Sequence, residues 1–194
     1  LKGVYGSVEF VNWYNGHPDC WNLDPDLNVD SAVVVGNGNV AIDVARVLVK
    51  NRQEMAHSDL PEYAVAAIEA SQLSDVYMCG RRGPVEAKFT NVELREMGEL
   101  EICTPVIDPA ILSDEVTGEW SDRDRRLREK NLGTLKGFTE IEPGDRPKRV
   151  HFQFFSSPVE ILGDERVEAV RFERTRLEDG RTVGTGEHFE IPCG

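Results

Sequence analysis

The run Ala32-Val33-Val34-Val35-Gly36-Asn37-Gly38-Asn39-Val40-Ala41-Ile42-Asp43 constrains this chain more than any other stretch. Its apolar start reads as a buried strand. Two glycines one residue apart then break it, and Val40, Val44, Val47 and Leu48 recur behind them at helical spacing, with Arg46 and Lys50 facing away. A strand that turns on glycine into a helix is what a dinucleotide pyrophosphate needs. Gly36 permits the tight turn, Gly38 lets the backbone approach the phosphates, and the small Ala41 lets helix pack on strand. The helix N-terminus adds unpaired N–H groups and a positive dipole end. The same glycines would also serve an ordinary strand–helix turn, but the Val-rich strand before and the apolar-periodic helix after favour the dinucleotide.

An anionic cofactor needs a local counter-charge here, because the chain carries 35 Asp and Glu against 22 Lys and Arg, a net charge of -13. That balance argues against non-specific binding to nucleic acid or anionic membrane. The end of the second strand discriminates between cofactors: an acidic residue there accepts from the ribose 2′-hydroxyl of NAD, whereas arginine accommodates the 2′-phosphate of NADP. After Val76-Tyr77-Met78-Cys79 comes Gly80-Arg81-Arg82-Gly83-Pro84. Guanidinium groups bind phosphate through bidentate, charge-assisted hydrogen bonds. Arg81 and Arg82 therefore point to NADP(H) over NAD, provided the long excursion after Gly36 returns to the neighbouring strand. A solvated basic turn is the alternative.

The predicted architecture is α/β: a Rossmann-like doubly wound sheet with a small antiparallel β-meander appended. Residues 1–30 read as mostly irregular and aromatic-rich, and 31–194 as one domain. The pattern predicts a strand over 33–35, a helix over 39–50, and an alanine-rich helix over 60–72 opened by an Asp59-Leu60-Pro61-Glu62 capping box. A strand over 75–79 follows, then a helix from Thr90 to Leu100 with Thr90 as N-cap, and a short strand around Cys103–Ile107. Residues 121–132 read as a mixed-charge helix with a solvated face and i,i+4 pairs. From Val150 the apolar residues alternate, with Glu178-Asp179-Gly180-Arg181 as a hairpin turn, which puts the antiparallel part at about 150–191.

Little else carries chemistry. Glu93 and Glu96 share a helix face; they could serve a cofactor, or cap and pair with solvent. His17 lies in an aromatic turn and reads as a packing residue. Cys20, Cys79, Cys103 and Cys193 are scattered without metal-ligand spacing, so they read as free thiols in a reducing cytoplasm and no metal is expected. No stretch approaches the roughly 20 apolar residues that span a bilayer, so no membrane partner is expected. The start at Leu1 and the stop at Gly194 read as positions inside a longer protein.

Several segments together resemble the adrenodoxin reductase family, the flavoenzymes also described as adrenodoxin-reductase-like ferredoxin–NADP+ reductases. They are the Phe10–Asp19 stretch, the Gly36–Arg46 stretch, Gly80–Pro84, Phe89–Met97 and Phe154–Pro158, in the family's order. Ile191-Pro192-Cys193-Gly194 resembles the family's exit from its NADP domain. The resemblance implies that Asn37, Gly38, Asn39 and Val40 bind the pyrophosphate and that Arg81 and Arg82 clamp the 2′-phosphate. It implies Glu93 against the cofactor and Glu96 beside the hydride-transfer site, as the catalytic residue. In that family NADPH passes hydride to FAD, which feeds electrons to a ferredoxin. No second glycine fingerprint occurs here, so the resemblance is to the NADP-binding domain alone, with 1–30 as an entry segment from the flavin domain and FAD expected only in a full-length protein. Two other readings stay open: the NADPH module of a glutamate-synthase-like flavin and iron–sulfur oxidoreductase, and a stand-alone NADPH-binding module.

Overall fold

In a computed structural model covering residues 1–194, the chain folds into a four-stranded parallel sheet and a three-stranded antiparallel sheet, with helices beside the first. The elements in order are α1 (Ser7–Tyr14), β1 (Ser31–Val35), α2 (Asn39–Val49), α3 (Arg52–Met55), α4 (Glu62–Glu69), β2 (Asp75–Cys79), α5 (Asn91–Gly98), β3 (Cys103–Val106), α6 (Asp122–Phe138), β4 (Lys148–Gln153), β5 (Ser156–Leu162), β6 (Ala169–Glu178) and β7 (Arg181–Pro192). The Rossmann-like sheet with its appended meander stands as expected.

The parallel sheet runs β1-β2-β4-β3. Strand β2 pairs with β1 from Ser31 opposite Asp75 to Val35 opposite Cys79. The long excursion through α2, α3 and α4 thus returns to the neighbouring strand, and the turns after β1 and β2 emerge together at one end of the sheet. Alternation divides its faces. Val76, Met78, Val150 and Phe152 join the main core with Ile42, Leu48, Ile68, Phe89 and Leu94. Val33, Tyr77 and Cys79 point the other way, onto Val170, Phe172, Phe189 and Ile191 of the meander. Each fully buried side chain of this kind contributes about 1.5–3 kcal/mol, so the main core holds the helices against the sheet and fixes where its C-terminal edge lies.

The pattern misplaced several elements. The segment from Val150 does not open the meander: β4 pairs in parallel with both β2 and β3, so the antiparallel part begins at Ser156. Strand β4 does alternate, Val150 and Phe152 buried and His151 and Gln153 half-buried, but alternation does not tell a parallel neighbour from an antiparallel one, and the short Phe154-Phe155 link to β5 hid the boundary. Residues 1–30 are less irregular than expected, since α1 buries Phe10, Trp13 and Tyr14. Helix α4 starts at Glu62 with Pro61 as its N-cap and without the predicted capping box; that motif forms instead at α3, where Glu54 N–H donates to the Asn51 side-chain oxygen at 2.8 Å and Asn51 N–H donates to the Glu54 carboxylate at 2.9 Å. Helix α6 runs to Phe138 and buries Leu132, Leu135 and Phe138. Its arginines make no i,i+4 pairs: Arg125 donates to the Val116 and Gly118 carbonyls, and Arg128 lies 3.5 Å over the Trp120 ring.

Candidate dinucleotide site

Two turns meet at the C-terminal edge of the parallel sheet. At the first, Gly36 adopts φ +145°, a value that side chains rarely permit, and its N–H donates to the Cys79 carbonyl at 2.8 Å. Gly38 is different. Its backbone is extended, and a Cβ there would meet nothing within 4 Å. Neither conformation nor packing within the protein demands glycine at 38, and the space in front of its backbone is open. Helix α2 begins at the next residue with no side-chain cap, which leaves first-turn N–H groups and the positive dipole end to whatever lies beyond.

Segment 88–90 lines this turn. Lys88 N–H donates to the Asn37 carbonyl at 2.9 Å, and Thr90 N–H donates to the Asn39 side-chain oxygen at 2.7 Å. Thr90 precedes α5 as expected, but its hydroxyl caps nothing. The buried Asn131 amide of α6 holds the approach by donating to the Phe89 carbonyl at 3.0 Å. Lys88 itself is exposed and forms no salt bridge. Sequence reasoning missed it, because only the pairing of 88 with 38 brings it to the glycines.

The second turn carries Arg81 and Arg82, both exposed. Neither guanidinium makes a salt bridge or hydrogen bond within the protein, although seven other arginines pair with carboxylates. These are free cations held on a fixed backbone. A cleft of about 720 Å³ opens at Gly36, Gly38, Asn39, Val40 and Lys88 and continues along the outer flank of β1. Its body is apolar, and the two arginines stand outside its walls, so the polar site spans the turns rather than the cleft.

Behind the glycine turn lies a cluster of charges. Contacts from Thr90 to Asn39 and from Glu96 to Arg46 set α5 beside α2, both helices running away from the turn. Arg46 does not face away, as its spacing suggested. Its side chain is only 14% exposed, forms a close ion pair with Glu96 and lies 3.4 Å from Asp43. Burial, with Glu93 and Glu96 nearby, raises the Asp43 carboxyl above its ordinary pKa despite Arg46. Burial likewise pushes the Tyr14 hydroxyl up to about 12, with Asp43 adding to the effect. Glu93 keeps one buried carboxylate oxygen without a partner. Glu96 is 48% exposed and tethered through Arg46. The site residues named from sequence thus fall into two groups: Gly36 to Val40 with Arg81 and Arg82 at the sheet edge, and Glu93 with Glu96 on α5. Cys79 and Cys103 are not part of either; burial pushes both thiols up to about 12.

Parallel sheet, glycine turn and bare helix start define the class, a Rossmann-like α/β domain. Over its whole length the chain is similar in sequence and structure to one region of larger NADPH-dependent reductases. It is 39% identical over 198 residues to the NADPH-ferredoxin reductase FprA of Mycobacterium tuberculosis (strain ATCC 25618 / H37Rv), with 100% of this chain and 43% of that protein covered. It is 40% identical over 209 residues to the mitochondrial NADPH:adrenodoxin oxidoreductase of Arabidopsis thaliana, again covering 100% of this chain and 43% of the relative. A solved structure described as Mycobacterium tuberculosis FprA in complex with NADPH superposes with a TM-score of 0.90 at 38% identity, over 99% of this chain and 43% of that one. The chain spans less than half the length of these relatives. No protein-family model matches it.

Proposed function

We propose that this chain binds NADPH and supplies the nucleotide half of a flavin-dependent oxidoreductase. In this reading the pyrophosphate rests on the turn from Gly36 through Asn37, Gly38 and Asn39 to Val40, against the start of α2. Arg81 and Arg82 take the 2′-phosphate. The observation that carries it is the pair of exposed, unpartnered guanidinium groups beside a glycine whose missing side chain nothing in the protein explains. Glu93 stands against the cofactor. Glu96, oriented by Arg46, is the residue assigned to the hydride-transfer site.

FAD, when bound in a full-length protein, would take the hydride and release single electrons to a ferredoxin-type carrier. Residues 31–194 form the NADP-binding domain, and 1–30 enter it from the flavin domain. The names of the two relatives above favour this reading over a glutamate-synthase-like one. We place the protein in the cytoplasm, which four free cysteines suit. No helix is long and apolar enough to cross a membrane, and the -13 charge argues against nucleic acid as a partner.

The test is titration of the chain with NADPH and NADH. NADPH binds far more tightly, and Arg81→Ala with Arg82→Ala erases the preference. Two charge-assisted contacts at about 1.5–3 kcal/mol each make that loss about a hundredfold or more. Equal affinity for the two cofactors in the unaltered chain refutes the assignment.

A further inference from the structure

The arginine turn is fastened by the end of β4, by the Phe154-Phe155 link and by the meander that follows. Gly80 N–H donates to the Gln153 carbonyl and Ser156 N–H donates to the Gly80 carbonyl, both at 2.9 Å. Phe155 N–H donates to the Arg82 carbonyl at 3.1 Å. Close packing adds to this at both ends: a Cβ on Gly80 would come within 1.8 Å of the Asn37 amide, and one on Gly83 within 2.5 Å of the Phe155 ring. Phe155 itself sits at φ +53°, unusual for an aromatic residue. That leaves the Arg81 carbonyl, and a single side chain holds it.

The side chain is Thr175 of β6. Its hydroxyl donates to the Arg81 carbonyl at 2.7 Å, across 94 residues of sequence, while its own N–H donates to the Phe155 carbonyl at 2.9 Å. Thr175 is 8% exposed and lies where the β6–β7 register shifts, between Glu173 and Thr175. A bulge re-aims a side chain out of the regular alternation, and here the re-aimed hydroxyl reaches the peptide that carries the first guanidinium.

We infer that Thr175 is a specificity-positioning residue: its hydroxyl fixes the Arg81 peptide so that both guanidinium groups converge on one phosphate. The inference rests on the NADPH reading above. Bidentate recognition depends on the direction of a planar fork, and a free arginine must surrender rotamer freedom to achieve it. Holding the backbone under one fork fixes the point from which that side chain reaches out, so backbone freedom is not lost on binding as well. NADH has no 2′-phosphate, so its binding does not depend on the hydroxyl.

The experiment measures the ratio of NADH to NADPH dissociation constants for the unaltered chain, Thr175→Val, Thr175→Ala and Thr175→Ser. Valine keeps the shape and removes the hydroxyl; serine does the reverse. The expected result is a ratio lowered about tenfold or more in Thr175→Val through weaker NADPH binding, with NADH unchanged and Thr175→Ser close to the unaltered chain. If Thr175→Val does not fold, the same loss is expected in Thr175→Ala. A hydroxyl-free variant that keeps the unaltered ratio, or that loses both cofactors equally, overturns the inference. A Thr175→Ser variant that loses as much as Thr175→Val also overturns it, because the methyl would then matter. An unaltered chain with no preference for NADPH overturns the NADPH reading and this inference together, whereas a preference that outlives Thr175→Val removes only the latter.

Discussion

At Gly38 the needs of the fold and those of the proposed binding can be told apart at a single residue. With φ -124° and ψ 179° its backbone suits alanine, and the space around its missing Cβ is open. It occupies the N-cap of α2, where alanine in place of glycine costs roughly 0.5–1 kcal/mol. For a domain this long that shifts the midpoint of thermal unfolding by only about 2–4 °C. Gly38→Ala is therefore expected to melt close to the unaltered chain and to bind NADPH at least about tenfold more weakly, the methyl standing where the phosphates approach the backbone. A melting curve beside a calorimetric titration measures both, and undiminished affinity would remove the glycine turn from the site. Both glycines were legible in the sequence, and so was a separate reason for each. One depends on the sign of a dihedral and the other on empty space in front of a turn. Lys88 and Thr175 were not legible at all, since each reaches the site only through a partner far away in sequence.

Among the elements, the start of β2 carries the best-defined polar cluster outside the site. Asp75 accepts from Arg149 Nε at 2.8 Å and Nη2 at 3.1 Å and from the Ser74 hydroxyl at 2.6 Å, and His151 Nε2 lies 2.7 Å from its Oδ1. The Arg149 guanidinium, foremost among these, holds the Asp75 carboxyl well below the ordinary carboxylate range, against the opposing effect of its partial burial. A carboxyl depressed on folding adds stability above its unfolded pKa and loses it as pH falls toward the folded value. Asp75→Asn is expected to cost about 1–2 kcal/mol at neutral pH, discounted because Arg149 is half exposed. The gap between variant and unaltered chain should narrow as pH drops from about 5 toward 2. Denaturant unfolding at several pH values measures this; a gap that widens in acid contradicts it. The pairing of Asp75 with Arg149 follows from β2 lying beside β4, which is the relation the sequence concealed. Strands β1 and β2 were legible because their apolar runs end in glycine. Strand β4 was assigned to the wrong sheet because partner choice is settled by the whole core and not by its own alternation. Arg46 was likewise taken for a solvent residue because helical spacing cannot show that α5 arrives with Glu96.

For the molecule as a whole, the number of dinucleotide turns sets the number of dinucleotides. Of the four parallel strands only β1 runs through glycines into a long helix. Strand β2 leads through the arginine turn to a 3-10 turn at Pro84–Glu86, β3 reaches Pro109–Ile111, and β4 passes directly to β5. A flavin dinucleotide would need its own pyrophosphate cradle, and in the function proposed above the one glycine turn present is taken by NADPH. The 194-residue chain is therefore expected to bind one NADPH, to purify colourless, and to stay colourless after incubation with FAD and dialysis. Visible absorption of the dialysed protein and the stoichiometry of a calorimetric titration measure the two halves of that expectation. Flavin retained at one per chain would mean that the apolar cleft along β1, rather than a second glycine turn, can hold a ring system, and the division of labour proposed for the longer protein would have to be redrawn around that cleft. A colourless chain that still discriminates NADPH from NADH would show that recognition of the electron donor is complete within this region, independent of where the flavin sits.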